Sequence, residues 1–236
     1  MKRFGEPLGE WRAPAAPDVA RIEGRYMRLE RLAEHHAHSL FRAYSGADAV
    51  WDYMPYGPFS SESGYIRFVK DMAARTDPYF MAVCDPVTGA ALGVMAWLRI
   101  VPGDGVIELG HICLAPALQR SVAASEAMMR MIGWAFAAGY RRFEWKCDAL
   151  NLPSRRAAER LGLSYEGTFR QATHYKGRNR DTAWFAATDK DWPALSAAYE
   201  AWLAPANFDA DGRQIEALSD LTRLVRVSSD PVLEAR

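Results

Sequence analysis

The sequence predicts a mixed α+β fold, a mostly antiparallel sheet of about six to seven strands flanked by helices. Three observations point there. Apolar or alternating runs are separated by Gly- and Pro-bearing turns, as where "PVTG" lies between "YFMAVCD" and "AALGVMAWLRI". Longer segments repeat apolar residues at helical spacing. Hairpin-linked strands and strands separated by a helix occur in one chain, so antiparallel and parallel pairings must share a sheet.

Residues 1–24 are rich in Pro, Ala and Gly and read as an irregular leader. "YMRLERL" (26–32) alternates as a strand does, and 34–46 reads as a helix. "WDYMPYGPF" (51–59) carries two prolines among aromatics and reads as a loop. Tyr65, Phe68, Val69 and Met72 then mark one face of a helix. The hairpin around "PVTG" follows, then the strand "VIELGHICLAP", stopped by Pro116. Ala124, Ala127, Met128, Met131, Ile132, Ala135 and Phe136 form a clean apolar stripe, and Gly139 stands where a left-handed cap belongs. "RRFEWKC" (141–147) is a strand. "NLPSRRAAERLG" (151–162) is a short helix that Asn151 can cap and Gly162 can end. "SYEGTFRQATHY" and "DTAWFAAT" are strands joined by "KGRNR". Residues 191–203 form a last helix. The expected division is a leader (1–24), one domain (25–204) and a polar, weakly patterned tail (205–236).

The bulk numbers exclude several classes. Lys+Arg and Asp+Glu balance at 29 each, so there is no net field to draw the chain to nucleic acid or an anionic membrane. No apolar run approaches the ~20 residues of a membrane span, and the N-terminus lacks the apolar stretch of a signal peptide. Cys84, Cys113 and Cys147 fit neither a metal spacing nor a disulfide framework. The expectation is a cytoplasmic protein with reduced, buried thiols. His35, His36 and His38 crowd one helix start, but nothing nearby in sequence completes a metal set, and a solvated face is the expected reading.

The chemistry centres on "QRSVAASEA" (119–127), a loop running into a helix start. Residues 119–125 would offer successive main-chain N–H groups at the positive end of a helix, an anion site by construction. Phosphate loops usually carry glycine for close approach and positive φ, and this one has none. Arg120 adds charge, whereas β-branched Val122 is expected to crowd a ligand and to resist positive φ.

"LAPALQRSVAASEA" followed by "DALNLPSRRAAERLGLSYEGTFRQ" resembles the GNAT acyl-CoA-dependent N-acetyltransferases, in particular their RimJ/RimL branch. The resemblance covers roughly residues 25–190. It implies the GNAT fold, acetyl-CoA as co-substrate, no metal, and transfer to a primary amine, either a protein N-terminus or a small molecule. Gln119, Ala124, Ser125, Glu126 and Ala127 match the first motif, while Arg120 and Val122 replace its glycines. The match puts Gln119, Arg120, Ser121, Val122, Ala123, Ala124 and Ser125 around the pyrophosphate. It gives the main chain of Leu114 to the pantetheine and the N–H of Ile112 to the acyl carbonyl, an oxyanion-type role. Asn151 and Ser154 contact the arm near the sulfur, and Arg155 reaches a phosphate. A helix cap is an equally good and compatible reading of Asn151. Many members of the family hold a proton-donating Tyr seven residues beyond the motif Asn; Ala158 stands there, the resemblance to the RimJ/RimL branch implies Ser154 as the substitute, and the thiolate can also leave without protonation.

The attacking amine must be neutral, so a base must take its proton. Glu108 and His111 are the candidates. Three apart on one strand, they are expected to face opposite sides of the sheet, so that only one can serve the site. Trp51, Tyr53 and Tyr56 are expected to line the acceptor pocket. "KGRNRD" and "SRRAAER" read as solvated basic surface, with an acidic acceptor or RNA as the lesser alternative. A homodimer is compatible with the sequence. The rival to an enzyme is an acyl-CoA-binding or protein-interaction module of the same fold, kept open by the missing glycines and the missing Tyr.

Overall fold

The computed structural model describes residues 3–234. Eight strands make one sheet: β1 (Arg21–Glu23), β2 (Arg28–Arg31), β3 (Tyr79–Cys84), β4 (Ala91–Val101), β5 (Val106–Leu114), β6 (Arg142–Asp148), β7 (Ser164–Tyr175) and β8 (Arg178–Thr188). Their order is β1-β2-β3-β4-β5-β6-β8-β7. Every neighbouring pair is antiparallel except β5 and β6. The mixed α+β class and its largely antiparallel sheet are as expected, with a strand count slightly higher. The added strand, β1, has only three residues and lies in the stretch read as leader.

Helices α1 (Ala37–Ala43) and α2 (Glu62–Ala73) cover one face of the sheet, where Leu40, Tyr44, Tyr65 and Val69 meet Phe80, Ala82, Val94 and Ala96. Helix α3 (Val122–Ala137) covers the other, with α4 (Leu152–Arg160) and α5 (Trp192–Leu203). All seven residues of the expected α3 stripe are buried. A large side chain so buried contributes roughly 1.5–3 kcal/mol, against about 1 kcal/mol for an N-cap. Packing, not capping, therefore sets how α3 sits on the sheet. Glu126 on α3 is fully buried and accepts hydrogen bonds from the N–H groups of Arg25 (2.9 Å) and Tyr26 (2.7 Å). That carboxylate pins the β1–β2 turn, and Gly24 is needed there because a Cβ would come within 2.8 Å of it.

The segment after α5 is not a loose tail. Two short helices, α6 (Leu218–Thr222) and α7 (Pro231–Glu234), return to α4, with Leu218, Thr222 and Asp230 buried. Asp230 takes both Nε and Nη2 of Arg155 at 2.5 Å, with exposures of 0% and 2%. Arg155 also donates to the carbonyl of Ala149 (2.8 Å), just ahead of α4. The three cysteines are buried free thiols. Among the described residues no helix is long and apolar enough to cross a membrane.

Candidate active site

Past Leu109 and Trp145, β5 and β6 part company: their pairing runs from Val106–Arg142 to Leu109–Trp145 and stops. A cleft of about 1100 Å³ opens between them. The cause is a bulge in β5. Cys113 pairs with Val94 and Gly110 with Ala96, so His111 and Ile112 together oppose the single residue Met95. His111 takes φ +50° to make the bulge, a left-handed conformation that His tolerates better than β-branched residues do. Such an insertion bends a strand and ends regular pairing.

The bulge also shifts the alternation of side chains, which corrects the parity argument. Leu109, Ile112 and Leu114 all lie on the α3 side of the sheet, whereas Cys113 lies on the α1/α2 side. His111 packs there too, 5.1 Å from the Phe80 ring. Glu108 and His111 therefore share one side, and both line the cleft. Ile112 is left out of the ladders to β4 and to β6, so its main chain is the part of the strand most available to a ligand.

At the other end of the cleft the chain turns into α3. The Ser121 hydroxyl caps the helix by accepting from the Ala124 N–H (3.0 Å). Among the described residues the N–H groups of Arg120, Ser121, Val122 and Ala123 have no acceptor. Four consecutive unfilled donors at the N-terminus of a sixteen-residue helix form a cradle of the size and polarity of a diphosphate. Gln119, Arg120, Ser121, Val122, Ala124 and Ser125 line it; the Ala123 side chain does not. Gln119 Nε2 donates to the Leu114 carbonyl (2.9 Å) and so ties the cradle to the end of β5. Arg156 and Arg160 also line the cleft. They belong to the run read as solvated surface, whose spacing alone did not reveal which arginines turn inward.

The missing glycines act elsewhere than expected. Val122 is the first residue of α3 and packs partly on the core, so it bears no positive φ. Arg120 bears it, at φ +57°. A left-handed non-glycine residue costs about 1–2 kcal/mol, offset in part by the extra freedom glycine gives the unfolded chain. Arg120→Gly is thus expected to raise the melting temperature on the order of 1–3 °C, and Val122→Gly to lower it. Thermal unfolding of the two variants checks this, and the reverse order would refute the assigned backbone.

Asn151 caps α4 by accepting from the Ser154 N–H (3.2 Å). The Ser154 hydroxyl accepts from Trp145 Nε1 (3.0 Å), which leaves its own proton for another acceptor. Both residues line the cleft. Arg155 does not: its buried guanidinium is held by Asp230 and the Ala149 carbonyl, so the expected phosphate contact has no free donor there.

Of the three aromatics expected in the acceptor pocket, Tyr53 lines the cleft, its hydroxyl donating to the Leu150 carbonyl (3.2 Å). Trp51 is buried behind it against Tyr44, Phe59 and Tyr65. Tyr56 also sits behind, its ring parallel to His111 and its hydroxyl 3.0 Å from His111 Nδ1. With no other partner for that hydroxyl among the described residues, it donates to Nδ1 and leaves the proton of His111 on Nε2. Burial, then the nearby cations Arg75 and Arg180, pushes the His111 pKa down to about 4, so the ring is neutral at ordinary pH.

Glu108 is 5% exposed. Its Oε2 lies 2.9 Å from Lys146 Nζ and 3.4 Å from Arg99 Nε. Lys146 is shared with Glu144 (2.6 Å) and covered by the Trp184 ring (3.7 Å). Both cationic contacts fall on Oε2. Oε1 lies toward Gly110, 3.5 Å from where a Cβ would stand. Burial raises the Glu108 pKa, with Lys146 and Arg99 opposing it. Away from the cleft, Glu30 completes a group with His35 and His36 that sequence proximity had not supplied. His36 Nε2 lies 3.1 Å from Glu30 Oε2, while Arg28 Nε holds Oε1. A satisfied buried hydrogen bond accounts for this arrangement.

Comparison with known proteins agrees with this geometry. A family model described as an acetyltransferase (GNAT) domain matches residues 27–164. A GCN5-related N-acetyltransferase from Brucella melitensis is 42% identical, with a TM-score of 0.88 over 92% of this chain and 100% of that one. A probable GNAT-family acetyltransferase from Chromobacterium violaceum is 38% identical, with a TM-score of 0.77 over 82% and 98% of the two chains. Comparison with curated proteins finds no match. With a bulged and splayed β5, a helix-end cradle, and a family model spanning both, the chain belongs to the GNAT family of acetyltransferases.

Proposed function

We propose that the protein moves an acetyl group from acetyl-CoA to a primary amine, by direct attack of the amine. The observation that carries this reading is the pairing of the β5–β6 splay with four unfilled N–H donors at residues 120–123. The donors suit a diphosphate, and a cleft of about 1100 Å³ leaves room for a long arm between the strands. The family's substrate, acetyl-CoA, supplies the activated thioester. Arg120–Ala123 hold its diphosphate through main-chain N–H groups, with the Arg120, Arg156 and Arg160 side chains adding charge. The Ile112 N–H, outside both ladders, orients and polarises the acyl carbonyl.

Glu108 takes the amine proton on Oε1, the oxygen that its cationic neighbours leave open, directly or through a water. We read His111 as a neutral hydrogen-bond donor rather than as the base, because Tyr56 fills its acceptor nitrogen. Ser154 Oγ, oriented by Trp145, passes its proton to the departing sulfur as it takes one from a solvent water. The glycine-free loop does not favour the rival binding module, since the donors belong to the main chain and remain unfilled. Within the family, the RimJ/RimL branch is the reading best supported by the Gln119–Ala127 motif and by Ser154 in the donor role.

Calorimetry with acetyl-CoA and with CoA, followed by thiol release on a panel of amines, tests the proposal. Micromolar binding and amine-dependent release of CoA are expected. No heat at millimolar acetyl-CoA would overturn the reading, and binding without release on any amine would favour the module.

A further inference from the structure

We propose that the acceptor amine also carries a carboxylate, which Arg180 binds, so that the substrate is a small amino acid-like molecule. This rests on the acetyl-transfer reading above. Arg180 comes from the "KGRNRD" run, yet it lines the cleft. It is half-buried, and its Nε is fully shielded with no acceptor. Among the described residues Arg180 makes no ion pair and no side-chain hydrogen bond, although carboxylates stand around it.

Each of those carboxylates already has partners. Asp148 accepts from the Tyr175 hydroxyl (2.7 Å) and the Leu150 N–H (2.9 Å). Glu108 faces Lys146 and Arg99. Asp181, the next residue, turns outward to the Gln171 N–H and the Asn179 amide. Arg180 is thus a half-buried cation on the cleft wall without a counter-ion, and its field is felt at His111. A shielded donor left without an acceptor is expensive, and its rigid fork matches a planar carboxylate. Glu108 and Arg180 together give one wall an acceptor for an amine proton and a donor for an acid.

The surroundings favour a small molecule over a chain. The tip of the β7–β8 hairpin is tied across the cleft by Lys176, which donates to the Trp51 carbonyl (2.7 Å), and by Tyr175 on Asp148. Tyr53 reaches over to Leu150 from the opposite side. These contacts bound the acceptor end, where a peptide would need an open exit.

The test compares free amino acids, their amides, and short peptides beginning with Asp or Glu. Thiol release is one readout; calorimetric titration of each compound into CoA-saturated protein is the other and needs no turnover. The expected result is a preference of roughly 10- to 100-fold for the acid over its amide in kcat/KM, and in affinity. In Arg180→Gln that ratio should fall to near one, and in Arg180→Lys it should be intermediate, with melting curves checking that both variants fold. Equal use or binding of acid and amide by the wild type would overturn the proposal, as would an unchanged ratio in Arg180→Gln. Preference for the acidic peptides over free amino acids would overturn its small-molecule part. Acid-selective binding without thiol release would uphold this proposal while refuting the transfer reading.

Discussion

Glu108→Gln is expected to slow acetyl transfer at saturating acetyl-CoA by roughly 100-fold or more, the usual range for loss of a positioned base being 10²–10⁴. Gln keeps the shape of the side chain but cannot take a proton. The KM for acetyl-CoA should change little, because the cradle lies at the other end of the cleft. The pH profile separates this role from a structural one. A base works ionised, so the wild-type rate should fall as pH drops through the Glu108 pKa. Burial sets that value above the ordinary carboxylate range, even against Lys146 and Arg99. In the variant this acidic limb should disappear from kcat. A variant that retains both the rate and the limb would remove Glu108 from the mechanism.

The second large effect is on stability. Asp230→Ala should lower unfolding free energy by about 3–5 kcal/mol, the cost of stranding one partner of a buried ion pair. At roughly 2–4 °C per kcal/mol for a chain of this size, that is a drop on the order of 10 °C in melting temperature. Replacing both partners, as Arg155→Met with Asp230→Leu, should restore much of it, since two apolar groups leave no charge unpaired. Melting curves of the three variants decide the matter, and a small loss in Asp230→Ala would mean that water reaches the guanidinium. Since Arg155 also holds the Ala149 carbonyl, the single variant should weaken CoA binding through Asn151 and Ser154 on α4 as well.

The sequence made some of this legible and hid the rest for identifiable reasons. Helices α3 and α4 could be read because their burial repeats at 3.6 residues and their ends carry Ser121, Asn151, Gly139 and Gly162. The helix-end cradle of free N–H groups could be read because it is a local feature, a loop meeting a helix. The faces of β5 could not, since strict alternation fails wherever a bulge adds a residue, and nothing in "ELGHICL" announces one at His111. Arg155 could not be placed because its partner is 75 residues away in a segment with few apolar residues. Arg180 and Arg155 sat in similar basic runs, and only the packed chain separates a cation held by a carboxylate from one left facing a cleft.

The Arg155–Asp230 pair also has a consequence in time. On the ribosome, Asp230 is made 75 residues after Arg155, which is about 4–15 seconds later at ordinary rates of synthesis. During that interval β7 and β8 are made and complete the sheet, while the guanidinium on α4 has no counter-ion and resists burial. Helix α4 can therefore dock firmly only after the C-terminal segment emerges and closes over it. The late segment thus works as a latch on the order of assembly, and the α4 side of the cleft takes its final form only when it engages.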